Sequence, residues 1–138
     1  MKVKTLAIIK PDAVKSDYTG KIIDRIEQAD FKIIRMEKIL LTKSLAEKFY
    51  AVHKGKPFFE ELVEFMTSGP VVVLALEKDN AIKEWRDLMG ATDPAEATEN
   101  TLRKLYGTGK GPNALHGSDA EETAKQEMLF FFPDLKIN

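Results

Sequence analysis

Few side chains in this sequence can do chemistry near neutral pH. It holds no cysteine and only two histidines, His53 and His116, which excludes a thiolate nucleophile, a disulfide framework and a Cys-based zinc site. The run Asn113-Ala114-Leu115-His116-Gly117-Ser118-Asp119 puts one imidazole just ahead of an expected helix start, where unpaired backbone N–H groups and the helix dipole favour an anion. A histidine in a surface loop with no chemical role fits the same spacing. Glu127 lies at the far end of that expected helix and reaches the imidazole only if folding brings it there. Gly107-Thr108-Gly109-Lys110-Gly111 resembles a phosphate loop but fails its tests. A Walker loop needs glycine where Lys104 stands and Ser or Thr where Gly111 stands; a dinucleotide loop needs glycine where Pro112 stands. It reads as a flexible connector.

The elements that position these groups follow from the pattern of apolar residues. With 138 residues and no linker or repeat, residues 1–138 are expected to form a single domain with its own core. Thr5–Ile9 reads as a strand closed by Lys10-Pro11-Asp12. Ile22, Ile26 and Ala29 fall at helical spacing, Phe31–Leu41 reads as a strand, and Ser44 with Glu47 predicts a capped helix from Leu45 that carries Phe49 and Val52 inward. Past Pro57 a further helix presents Phe58, Leu62 and Phe65 on one face, and Val71–Leu76 is a buried strand. Ala81, Trp85 and Leu88 again have helical spacing.

From Gly90 to Gly117 the pattern weakens; five of the eight glycines lie there, with one short helix expected around Thr101–Leu105, as in a functional loop. Ser118 and Glu121 have capping-box spacing and predict a helix to about Glu127; Met128–Phe132 is then the last strand. The order β-α-β-α-β-α-β points to an α+β fold, a ferredoxin-like split βαβ sandwich. It would have a four-stranded antiparallel sheet with helices on one face and a long active-site loop. A doubly wound parallel sheet is the alternative.

Charge and hydropathy narrow the function classes. Lys and Arg total 21 against 22 Asp and Glu, a net charge of −1 that argues against nucleic acid as the primary ligand. No apolar run is long enough to span a membrane. Only five residues separate Lys4 from Lys10, too few for a signal peptide, so a cytoplasmic protein is expected.

Three blocks carry a family resemblance. Ile9-Lys10-Pro11-Asp12-Ala13-Val14, Phe58-Phe59-Glu60-Glu61-Leu62 with Ser68-Gly69-Pro70-Val71, and Asn113–Asp119 occur in the order and at the spacing of nucleoside diphosphate kinases, and the resemblance spans essentially the whole chain. It implies transfer of the γ-phosphoryl of a nucleoside triphosphate, usually ATP, to a nucleoside diphosphate by a ping-pong route. The phosphoryl is carried as a pros-phosphohistidine on His116. Histidine suits this role, since neutral imidazole attacks at pH 7 without an added base and phosphoimidazole keeps a high transfer potential. Glu127 would orient the ring and Ser118 would hold Glu127.

The same resemblance assigns the nucleotide to Lys10, Tyr50, His53, Arg86, Thr92, Arg103 and Asn113. Arg86 and Arg103 clamp phosphate oxygens with forked donors, Thr92 adds a hydroxyl, and Lys10 and Asn113 reach the moving phosphoryl and the sugar. Tyr50 sits close to the nucleophile. Phe58 stacks the base and Leu62 lines its cleft; stacking tolerates every base, which implies broad nucleotide use. Mg²⁺ would arrive on the phosphates, with no metal site of the protein's own. The family forms homo-oligomers, tetramers or hexamers built from a common dimer.

This sequence departs from the family's usual pattern at three places: Asn100 precedes Thr101 where glycine is common, Lys110 enters a stretch that is usually more apolar, and Ser16-Asp17-Tyr18-Thr19 replaces a different turn. Two other classes compete. An RNA-recognition module shares the βαβ layout but needs aromatic and basic residues interleaved on a strand, which are missing. A phosphohistidine carrier fed by another protein needs His116 but not Arg86, Arg103 and Phe58 together.

Overall fold

The computed structural model describes residues 2–109 and 112–137. Four strands, β1 (Lys2–Ile9), β2 (Lys32–Ile39), β3 (Val71–Asp79) and β4 (Leu115–Gly117), form one sheet in the order β2-β3-β1-β4. The helices are α1 (Pro11–Lys15), α2 (Thr19–Gln28), α3 (Lys43–Phe49), α4 (Phe59–Met66), α5 (Ala81–Met89), α6 (Leu102–Tyr106) and α7 (Glu121–Phe131). Short 3-10 turns cover Ala51–His53 and Pro94–Glu96. All three strand pairings are antiparallel, which removes the parallel alternative and leaves the split βαβ arrangement.

Strand periodicity sorts the core into two layers. On one face Ala7, Ile9, Val72, Leu74 and Leu76 pack against Ala13, Ile22, Ile26, Trp85 and Met89 of α1, α2 and α5. On the other, Leu6, Ile8, Val71, Val73 and Ala75 meet Ala46, Val63, Met66, Ala124 and Met128 of α3, α4 and α7. The covering on one face expected from the sequence is therefore too narrow; apolar residues run unbroken through Leu6–Ile9 and Val71–Leu76 because both faces are buried there. At roughly 25 cal/mol per Å² of apolar surface, two such layers supply the main stabilisation of the sheet.

Several local expectations change. Met128–Phe132 is not a strand: residues 128–131 continue α7, and Met128 and Phe132 turn into the core. The fourth strand is the three-residue β4, which carries His116 opposite Ile8. No Ser118 cap forms; α7 starts at Glu121, and the Ser118 hydroxyl is used elsewhere. The cap of α3 is Thr42, whose Oγ1 accepts from the Leu45 N–H at 3.1 Å, in place of Ser44. Val52 points outward at 80% exposure, and α4 buries Phe59, Val63 and Met66, one position on from the expected face. Asn100, where glycine is common in the family resembled, has φ 71°, a left-handed conformation that asparagine tolerates.

Gly117 marks where β4 crosses α5. A Cβ there would lie within 2.5–2.8 Å of Met89 Cε and the Trp85 ring. Gly117→Ala is expected to cost about 1–3 kcal/mol through overpacking. Thermal melting of the variant checks this; an unchanged midpoint would mean that α5 yields freely.

Candidate active site

β4 leaves the sheet with its His116 side chain on the α3–α7 side, and α7 returns beneath it. His116 Nε2 lies 2.9 Å from Glu127 Oε1, and the Ser118 hydroxyl donates to the same oxygen at 2.7 Å. An ionised carboxylate only accepts, so Nε2 carries the proton and Nδ1 keeps the free lone pair. The main chain is pinned as well, since the Trp85 indole N–H donates to the His116 carbonyl at 3.2 Å. Phe49, in the last turn of α3, sets its ring edgewise on the imidazole, with centroids 5.4 Å apart.

A second group gathers around Lys10, at the junction of β1 and α1. Its Nζ donates to Asn113 Oδ1 at 2.9 Å, and Asn113 Nδ2 donates to the Thr92 carbonyl at 3.0 Å. Burial first, then the Arg103 charge, push the Lys10 ammonium down to about 8, against an opposing pull from Asp12. Arg103, on α6, donates to the carbonyls of Gly90 at 2.9 Å and Leu115 at 3.0 Å, while its buried Nε has no partner among the described residues. Burial and the nearby Arg86 charge lower its guanidinium to about 10, so it stays charged at neutral pH. Arg86, Thr92 and Arg103 together line a polar cleft of about 580 Å³.

Tyr50, His53 and Phe58 form the third group. Tyr50 and His53 stack at 6.4 Å, and His53 meets Phe58 at 5.3 Å. Phe49 joins Tyr50 at 4.9 Å and so links this row of rings to His116. The Tyr50 hydroxyl and His53 Nδ1 are buried without hydrogen-bond partners among the described residues. Burial, then the charge of Glu127, hold the Tyr50 phenol well above its usual range, so it remains a proton donor. Phe58 keeps 47% of its surface exposed, and Leu62 follows one turn later along α4. Lys110 lies outside the described residues.

Sequence reasoning missed Asp12, Trp85 and Phe49 as parts of the site. Asp12 stood in view within Lys10-Pro11-Asp12; the other two act through contacts that leave no local signal. Among the described residues no three His, Asp or Glu side chains gather as metal ligands, and the polar cleft joins two arginines. This donor set suits an anion that brings its own cation.

Sequence and fold comparisons agree with one another. Residues 3–137 match the family described as nucleoside diphosphate kinase. The chain is 53% identical to the nucleoside diphosphate kinase of Persephonella marina, covering 97% of this chain and 96% of that one. With the corresponding protein of Geotalea uraniireducens it shares 56% identity, over 97% and 98% of the two chains. The fold matches the Aquifex aeolicus nucleoside diphosphate kinase crystal structure with a TM-score of 0.96 and 45% identity, over the full length of both. The halophilic enzyme of Halobacterium salinarum in complex with CDP matches at 0.94 and 37% identity, covering 100% of this chain and 92% of that one.

Proposed function

This chain belongs to the nucleoside diphosphate kinase family, and from that premise we propose that His116 is the residue on which the phosphoryl group travels. The enzyme moves the γ-phosphoryl of a nucleoside triphosphate to a nucleoside diphosphate by the family's ping-pong phosphohistidine route. The observation that carries the assignment is the 2.9 Å contact of His116 Nε2 with Glu127, which leaves Nδ1 as the nucleophile. The Nδ1 lone pair attacks the γ-phosphorus in line. The P–O bond to the β-phosphate breaks, and the diphosphate leaves with the electron pair. The second half-reaction reverses these steps with a new diphosphate. Glu127, held by Ser118, stabilises the ring as it gains positive character.

Phosphoryl transfer needs positioning and charge more than covalent help. Arg86, Arg103 and Thr92 would hold phosphate oxygens, Lys10 the moving phosphoryl, and Asn113 the sugar. Tyr50 and His53 keep polar atoms without partners among the described residues, and Phe58 with Leu62 would take the base. That stacking accepts purines and pyrimidines, consistent with upkeep of ribo- and deoxyribonucleoside triphosphate pools. The family uses a divalent metal; Mg²⁺ is the ion proposed here, entering as part of the nucleotide substrate. No helix among the described residues is long and apolar enough to cross a membrane. A cytoplasmic homo-oligomer, tetramer or hexamer from a common dimer, completes the proposal.

The test is direct. Protein mixed with Mg²⁺ and γ-labelled ATP, quenched without acid, should retain label that is acid-labile and chases onto any added nucleoside diphosphate. Unlabelled protein that still binds ATP would leave a nucleotide-binding protein without the chemistry. Lys10 adds a pH signature, because a phosphate-binding ammonium works only while charged. With Lys10 near 8, kcat/KM for the nucleotide should fall as pH rises past about 8. A flat profile up to about pH 9.5 would remove Lys10 from phosphate binding.

A further inference from the structure

Asp12 has no place in the mechanism above, yet its carboxyl sits between two parts of it. Oδ2 accepts from the Ala114 N–H at 3.1 Å, and the Lys10 N–H donates to the Ala114 carbonyl at 2.8 Å. Ala114 is therefore held at both its peptide groups by the start of α1. It needs holding: it is fully buried and adopts φ 76°, a left-handed conformation that costs an alanine energy and a glycine almost none. Two residues beyond it lies His116, and one residue before it lies Asn113, the partner of Lys10 Nζ. The other oxygen, Oδ1, is buried with no hydrogen-bond partner among the described residues. A threonine or asparagine could hold the Ala114 N–H without the cost of a half-solvated charge, so the amide alone does not account for a carboxylate.

The second reason is Lys10. Among the described residues, the charged groups acting on that ammonium are Arg103 from α6, which repels it, and Asp12 from α1, which attracts it; Asn113 contributes a neutral acceptor. Asp12 is faced in turn by Lys10 and by the backbone N–H groups of Asp12, Ala13 and Ala114. We propose that Asp12 is a positioning residue for phosphoryl transfer, one carboxylate with two roles. It holds Ala114 left-handed so that Asn113 and His116 are aligned, and it supplies the counter-charge of the Lys10 ammonium. The inference rests on the reading of Lys10 as a phosphate-binding residue.

Two substitutions separate the roles. Asp12→Asn keeps an oxygen for the Ala114 N–H and loses the charge. It should melt near the wild type, with the alkaline limb of kcat/KM moved about one pH unit toward acid. Asp12→Ala loses both, and should show the same displaced limb with kcat lowered about tenfold at every pH. Ala114→Gly, placed in the Asp12→Ala background, relieves the strain without restoring charge; it should recover much of kcat and leave the limb displaced. A merely structural Asp12 would not split in this way. A superposable Asp12→Asn profile, or no recovery on Ala114→Gly, overturns the inference. Lys10→Met keeps this separate from the functional reading: full activity there defeats the reading of Lys10, whereas a crippled Lys10→Met beside an unchanged Asp12→Asn defeats the role of Asp12 alone.

Discussion

His116→Ala should abolish transfer, with kcat falling by about 10⁶-fold, the scale set by removal of a covalent nucleophile. The side chain is partly buried, and among the described residues its hydrogen bond is to Glu127, which keeps the Ser118 hydroxyl as a partner. Folding should survive. Lys10 is held by Asn113, and Arg103 by the Gly90 and Leu115 carbonyls, independently of the imidazole, so nucleoside diphosphate should bind within about threefold of the wild type. Single-turnover transfer beside equilibrium titration with ADP reads both quantities. A variant that still accepts label would name another nucleophile; one that unfolds would make His116 a structural residue.

The second large effect belongs to Glu127. In Glu127→Gln the amide offers Nε2 a donor as readily as an acceptor, so the ring is no longer confined to the tautomer with a free Nδ1. Converting the carboxylate behind a catalytic imidazole to an amide costs up to about 10⁴ in kcat. A loss of roughly 10²–10⁴ is expected here, in both half-reactions, because the same ring serves each. Glu127 is engaged with His116 and Ser118, so KM for either nucleotide should change little. Rapid-quench measurement of phosphoenzyme formation separates the two constants. A change in KM with kcat intact would place Glu127 on the substrate instead.

The two central strands were legible because Leu6–Ile9 and Val71–Leu76 are continuous apolar runs beside Pro11 and Pro70, and helix α2 because Ile22 and Ile26 repeat at one turn. Met128–Phe132 misled for a physical reason: five apolar residues in a row satisfy a buried strand and a buried helix end alike, and periodicity cannot decide between them. The true fourth strand has three residues and one aliphatic side chain, too little for any pattern to register. The caps failed similarly. Ser118 and Glu121 had capping spacing, but the Ser118 hydroxyl found the Glu127 carboxylate, a charge-assisted partner stronger than a backbone amide. Candidate site residues were visible through resemblance in the Lys10-Pro11-Asp12 and Asn113–Asp119 blocks. The grip of Trp85 on the His116 carbonyl and the edge contact of Phe49 were not, because each joins segments that only the tertiary structure makes neighbours.

Activity in such a chain is acquired late. His116 pairs with Ile8 across the sheet, and Lys10 bonds to Asn113 over a separation of 103 residues. Contacts so distant along the chain close a large loop and carry its entropy, so they belong to the slow, final part of assembly. Helices and the β1–β3 ladder can form while the imidazole is still idle. During refolding, helical signal should return before the first phosphoryl is taken up, and a ribosome-bound chain stays chemically silent until β4 has emerged and found β1. Turnover in this protein is therefore a reporter of finished topology.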